Sequence, residues 1–341
     1  MKILFSSYHN PHFLTVTEYV ENAILESGHE LIRFDARQFI IPGRLRESIP
    51  VLEWADLIRI NLNFIDTVRK EKPDLCIIMC GHRIFPGSVR KVKKQGIPIV
   101  LWTTDVPLVF DTIKKNATQY DYVFCAGSEA VDILSGDNLQ NLQLLPFACD
   151  EHLHHRTVLS PRDEEQYQKE LAFVGSYYPN RAAILEKLCD YRLGIWGPGW
   201  QNLPDTSPLK KIAITKQVSH NEWIKIFSSA KLALVIHYQD GQTPSYQASP
   251  KLFEALACQC FVLVDKQKDA LDMFTAGKHV VFWNDIDDLK EKVDFYLKHS
   301  DLRNAIAREG EQCNKQHHTY KNRLNLLLDT LRNKSVLKGS R

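Results

Sequence analysis

Apolar residues fall in short continuous runs, and between them polar and apolar positions alternate at helical spacing. In the first half the runs are KILFSS, HELIRFD, DLCIIMC, IPIVLWTTD, YVFCAG and LQLLPFA. FLTVTEYVENAILESG and VLEWADLIRINLNFIDTVRKEK carry apolar residues three and four apart, which predicts amphipathic helices between the first three runs. Unbroken apolar strands separated by helices imply a parallel sheet covered on both faces. Residues 151–169 are polar, carry both charges and show no strand pattern, so they read as a linker. The alternation then restarts. LAFVGS, RLGIWGPGW, KKIAITKQVS, KLALVIHY, CFVLVD and HVVFW read as strands, and the stretches between them as helices or turns. The expected organisation is an N-terminal Rossmann-like α/β domain over 1–150, a second over 170–315, and an amphipathic C-terminal helix with a frayed tail over 316–341. Ligands of doubly wound sheets bind at the carboxyl ends of the strands.

Composition narrows the function classes. The 341 residues are 44% hydrophobic and 25% charged, as in an ordinary soluble domain pair. The net charge of +2 argues against a nucleic-acid partner, which needs a basic face. No apolar run is long enough for a transmembrane segment, and the first strand lacks the features of a signal peptide, so the expected location is cytoplasmic. The eight cysteines sit mostly in apolar stretches. Cys76 and Cys80 would stand about 13 Å apart in one strand, too far to bridge, so reduced core thiols are expected.

Two strand–helix junctions in the second half carry candidate chemistry. In SPKLFEALACQCFVLVD, Ser249 is a good N-cap and Pro250 a good first helical residue. Lys251 in the first turn opposes the helix dipole unless an anion is bound, and Glu254 can accept hydrogen bonds from vicinal hydroxyls. Free N–H groups at such a terminus suit a phosphate. In FVGSYYPNR, the Gly175–Ser176 turn lets backbone N–H groups approach a phosphate, with Arg181 placed to pair with it. His237 ends its strand and is expected to face the ligand, Trp200 to border a base pocket, and Trp196 either to do the same or to sit in the core. The first half offers general-base candidates in loops after strands, with Asp105 ranked first and His82 and His9 next. Asp285 and Asp287 form a DxD, but their place before a late helix reads as capping.

FVGSYYPNRAAIL, SPKLFEALACQCFVLVD and HHTYKNRLNLLL resemble the CgeB-like (spore-maturation type) glycosyltransferases of GT-B architecture, and LWTTDVP fits the same pattern. The resemblance covers most of 95–330, with the earlier residues matching in pattern alone. It implies two tandem Rossmann-like domains with a C-terminal helix crossing back to the first. It also implies transfer of a sugar, hexosyltransferase-like, from a nucleotide-diphosphate sugar such as a UDP-sugar to a hydroxyl-bearing acceptor, without a metal or other cofactor. Under it Glu254 corresponds to the ribose-binding acid, and Lys251 and Arg181 to the diphosphate clamp. The chain departs from the pattern in having Lys251 for arginine, Gln259 for glycine and Tyr246 where retaining enzymes carry a second glutamate. A nucleotide-sugar epimerase and a non-catalytic nucleotide-binding or assembly protein are the alternatives. The acceptor, whether glycan, protein or small molecule, is not identified by the sequence.

Overall fold

The computed structural model describes residues 1–104, 110–215, 218–239, 241 and 244–337. The chain divides into two compact units, Met1–Pro146 with Lys321–Arg341, and Phe147–Tyr320.

The first unit runs β1 (Lys2–Ser7), α1 (Val16–Glu26), β2 (Glu30–Asp35), α2 (Gly43–Ser48), α3 (Pro50–Glu71), β3 (Leu75–Met79), α4 (Pro86–Lys93), β4 (Ile99–Thr103), α5 (Phe110–Ala117), β5 (Tyr122–Cys125), α6 (Ser128–Gly136) and β6 (Leu142–Leu144). Its six strands are parallel in the order β2-β1-β3-β4-β5-β6. Every residue of β3, β4 and β5 is buried, as strands covered by helices on both faces must be. Thr15 and Glu18 cap α1 reciprocally, which satisfies two of its terminal donors. The core beneath packs Phe34, Ile60, Phe64 and Val68 against Ile78, Ile99 and Leu101.

The second unit runs α7 (Pro161–Tyr167), β7 (Leu171–Val174), α8 (Pro179–Glu186), β8 (Leu193–Trp196), β9 (Ala213–Ile214), α9 (His220–Ser229), β10 (Leu232–Val235), α10 (Pro250–Ala257), β11 (Val262–Asp265), α11 (Lys268–Met273), β12 (Val281–Trp283), α12 (Ile286–Lys298) and α13 (Ser300–His317). Its sheet, also parallel, has the order β12-β11-β10-β7-β8-β9. This is the doubly wound order 3-2-1-4-5-6, whose direction reverses between β7 and β10. A final helix, α14 (Tyr320–Asn333), begins at the boundary of the units. In the first unit, Arg323 Nε donates to Pro146 O at 2.9 Å and Thr330 Oγ1 lies 3.1 Å from Gln143 Oε1.

One expectation needs correcting. Residues 151–169 are not a bare linker: they lie within the second unit and hold α7, closed by a capping box of Ser160 and Asp163. The helix expected over 316–341 is α14, and the break before it falls at His318–Thr319, where Thr319 pairs with Cys149, and Cys149 O accepts from Tyr320 N–H at 2.9 Å. Among the described residues, none of the eight cysteines is in a disulfide. Asp285 caps α12 by accepting from the N–H groups of Asp287 and Asp288.

The turn after α10 is made by Gln259 in the left-handed region, at φ 53°. Its side chain accepts from Arg156 Nη1 at 2.8 Å and donates to Glu311 Oε2 of α13 at 2.5 Å. Further along the same contact, Asn314 donates to Phe253 O at 2.9 Å, and a Cβ on Gly310 would lie 2.8 Å from the Leu256 side chain of α10, as well as 2.4 Å from His279 O before β12.

Candidate functional site

The reversal of the second sheet sets Gly175–Ser176, after β7, beside Ile236–His237, after β10. Arg181 of α8 laces these segments together. Its Nε donates to Ile236 O at 2.8 Å and its Nη1 to Ser176 O at 3.0 Å. The guanidinium lies over the rings of Tyr178 and Phe173, 4.9 and 5.6 Å from their centroids. Burial lowers its pKa, but a guanidinium starts so high that it stays charged at neutral pH. Asn180 Nδ2 adds a bond to His237 O at 2.9 Å. The turn after β8 presses on the same place. Gly175 N donates to Trp196 O and Tyr177 N to Pro198 O, both at 2.9 Å. A Cβ at Gly197, φ +145°, would stand 2.2 Å from Gly175 O, so this approach of backbone to backbone needs glycine. The start of α8, at Tyr178, has no side-chain cap.

Alongside it, α10 is fixed at its start by a chain of buried groups. Asp265, the last residue of β11, accepts from His237 N at 3.0 Å and lies 2.5 Å from His237 Nδ1. His237 Nε2 accepts from Ser249 N–H at 2.9 Å. A nitrogen that accepts from an amide carries no proton, so the imidazole is neutral with its hydrogen on Nδ1. Ser249 Oγ accepts from Lys251 N–H at 3.3 Å, and Ser249 O from Leu252 N–H at 3.0 Å. Pro250 has no N–H. The expected free donors at this terminus are therefore already engaged, and what α10 offers an anion is its dipole and Lys251.

Lys251 Nζ donates to Glu254 Oε2 at 2.9 Å and stands 3.3 Å from the centroid of a Trp223 ring. The Glu254 side chain is 2% exposed and that of Lys251 is 22%. Burial pushes the Glu254 carboxyl up and the Lys251 ammonium down, and each is opposed by the other's charge. His220, lowered by burial, and the buried His154 close the cluster with ring centroids 5.3 Å apart.

The structure brings Gly175, Ser176, Arg181 and His237 together at the sheet reversal, and sets Ser249 beside them through its bond to His237. Lys251 stands in the first turn of α10 and Glu254 three residues on. Two expected roles change. Trp200 is 1% exposed, packs edge-on to Phe173 and Tyr177, and donates its indole N–H to Gly175 O at 2.9 Å. It supports the Gly175 turn from inside the core. Trp196 is equally buried. His237 is 4% exposed with both ring nitrogens engaged, so it holds the start of α10 instead of presenting a free ring. Sequence reasoning did not single out Asp265, Trp223 or His220. The available signal for Asp265 was an acid closing an apolar strand at its carboxyl end.

In the first unit the sheet reverses between β1 and β3, and a cavity of about 210 Å³ opens there. His82 lines it, with Ser7, Thr15, Arg37, Arg83 and Thr104. Cys80, beside His82, is left-handed at φ 65°, a strained geometry of the kind found at working sites. His9 lies elsewhere: its Nε2 is 2.9 Å from Glu21 Oε1, and Arg33 takes the other oxygen of that carboxylate. Asp105 lies outside the described residues. Among the described residues no group of three His, Cys, Asp or Glu side chains could hold a metal, and no helix is long and apolar enough to cross a membrane.

Residues 181–329 match the family model described as glycosyl transferase-like. The chain is 21% identical to the spore protein CgeB of Bacillus subtilis (strain 168) over 249 residues, 69% of this chain and 76% of that protein. Among solved structures it is similar to sucrose-phosphate synthase (tll1590) from Thermosynechococcus elongatus, with a TM-score of 0.70 at 12% identity, covering 99% of this chain and 100% of that one. It is also similar to Anabaena Alr3699/HepE in complex with UDP-glucose, with a TM-score of 0.68 at 10% identity, covering 98% and 100%. The fold is thus that of the two-domain GT-B glycosyltransferases, and the sequence resembles the CgeB-like group.

Proposed function

We propose that the chain is a glycosyltransferase whose second unit holds a nucleotide-diphosphate sugar and whose first unit receives a hydroxyl-bearing acceptor. The observation that carries this reading is the buried Glu254 carboxylate, paired on Oε2 with Lys251 in the first turn of α10, at the reversal point of a doubly wound sheet. A ribose presents two adjacent hydroxyl donors, and an ionised carboxylate is the acceptor that fits them. The diphosphate then lies against the Gly175–Ser176 turn, the uncapped start of α8 and the Lys251 ammonium. Fixed positive ends facing the bond that breaks stabilise the charge gathering on the departing diphosphate, so no metal is needed. Arg181 and His237 keep these segments in register through their backbone bonds. His82, on the cavity of the first unit, and Asp105 are the candidates to take the acceptor proton. The solved HepE complex with UDP-glucose makes that compound the first donor to try.

The test is calorimetric titration of the full chain with UDP and UDP-glucose in EDTA, followed by chromatography of the nucleotide products. Binding with slow release of UDP supports a transferase. An isomerised sugar would point to an epimerase, and tight binding without turnover to a binding protein. Failure of a panel of nucleotide-sugars to bind would end the reading, and loss of activity in EDTA alone would end metal independence.

A further inference from the structure

The helix α3 is apolar on two sides. Ile60, Phe64 and Val68 face the core of the first unit. Val51, Trp54, Ile58 and Leu62 do not: they are between 47 and 68% exposed in the intact chain. At about 100° per residue these four fall within an arc of about 80°, and Glu53 lies about 100° or more from each. Leu45, within α2, and Ile49, in the turn before α3, are also more than 40% exposed.

The margin of this face is cationic. Between Arg37 and Glu71 stand six cations against five carboxylates. One of the carboxylates, Asp56, is buried and taken by the N–H groups of Ile40 and Ile41 and by Arg59. Arg69 pairs with Asp66 and Lys70 lies 3.9 Å from Glu71, while Arg37 lies over Tyr8 at the cavity. That leaves Arg44 and Arg46 of α2, beside Leu45 and Ile49, as the cations that form no ion pair among the described residues. The face is also continuous with the cavity of the first unit. The Trp54 ring lies 5.3 Å from that of Phe85, and Asn61 of the same helix donates to Arg83 O at 2.9 Å and accepts from Phe85 N–H at 2.8 Å. His82, Arg83 and Ile84 of that loop line the cavity.

We propose that α2 and α3 dock the first unit on an anionic lipid surface, with the stripe centred on Trp54 and Ile58 entering the headgroup layer. A row of side chains without polar pairing groups, edged by arginine, suits a fluid surface that is apolar beneath and negative above. A tryptophan at the centre fits the same boundary. With the cavity opening beside it, the face would bring an acceptor held in the membrane within reach. The docking itself does not depend on the transfer reading, because no donor or acceptor enters the assay below.

The full chain is floated with vesicles of phosphatidylcholine alone, and of phosphatidylcholine with about 30% phosphatidylglycerol. It should float with the anionic vesicles, much less with the neutral ones, and lose most of its binding in about 0.5 M salt. Ile58→Glu with Leu62→Glu should lower the partition at least about tenfold with an unchanged melting temperature. Should that variant melt early, Arg44→Glu serves instead, and should weaken anionic binding several-fold while leaving the neutral vesicles as they were. Absence of flotation, or equal flotation of wild type and both variants, would overturn the proposal. So would a dimer in light scattering that Ile58→Glu separates, since a second copy would then be the occupant.

Discussion

Glu254→Gln separates the structural from the binding role of the acid on α10. Glutamine keeps the volume and an acceptor oxygen but removes the charge. The Lys251 ammonium, 2.9 Å from Oε2 and held over Trp223, loses its counter-charge. Breaking a fully buried pair costs about 3–5 kcal/mol. Here the Lys251 side chain is 22% exposed and can turn outward, and the amide oxygen still accepts, so about 1–2 kcal/mol is expected. In a unit of this size that lowers the melting temperature by roughly 2–8 °C. For binding, two hydroxyl bonds to a carboxylate become two to an amide, each weaker by about 1 kcal/mol. The dissociation constant for UDP should therefore rise about 30-fold. Calorimetry with UDP in EDTA, run beside thermal melts of both proteins, reads the two effects separately. Equal affinity of wild type and variant would remove Glu254 from the ribose whatever the melt does. An unchanged melt with weakened binding would mean that the Lys251 pair does not form in solution.

Three further outcomes follow from the geometry. His154 is fully buried, and burial, helped by His220, lowers its pKa from 6.5 to about 3. Its neutral form stabilises the fold above the unfolded value, and that contribution is lost as pH falls from 6.5 toward 3. At about pH 5 the wild type should have lost about 2 kcal/mol more than His154→Gln, read by urea unfolding at each pH; parallel slopes would contradict this. Gly197→Ala, which sets a Cβ 2.2 Å from Gly175 O, should cost roughly 3 kcal/mol and weaken nucleotide binding, and a variant as stable as wild type would show that the two turns do not meet. Arg181→Ala, which frees the carbonyls of Ser176 and Ile236, should reduce turnover of UDP-glucose far more than Asp287→Ala on the exposed first turn of α12. Equal losses would argue against the Arg181 assignment.

Periodicity carried the architecture. Each of the twelve runs contains a strand. The inner ones, such as β3, β4, β5, β7 and β10, are buried on both faces and must be apolar throughout, which shows directly in the order of residues, whereas β2, β6 and β9 at the sheet edges are only partly buried. The break of the tail at Thr319 was not legible, because it rests on pairing with Cys149, far away in the chain. The same limit applied to the site. Ser249 and Pro250 announce a helix start locally, whereas the bond from Ser249 N–H to His237 exists only because β10 ends beside α10. The setting of Trp200 was hidden for a related reason: an indole next to a glycine turn reads alike whether it faces a ligand or the core, and only its packing on Phe173 and Tyr177 shows it inside.

Gln259 and its neighbours on α13 bear on how the site is made ready. A non-glycine residue in the left-handed region carries a strain of about 1 kcal/mol, offset here by bonds to Arg156 and Glu311. With Asn314 on Phe253 and Gly310 against Leu256, these contacts bolt the rear of α10 to a long helix behind it. The helix that presents Lys251 and Glu254 is thereby immobilised when the chain folds, so an arriving guest does not have to freeze it, and more of the contact energy is left to set affinity.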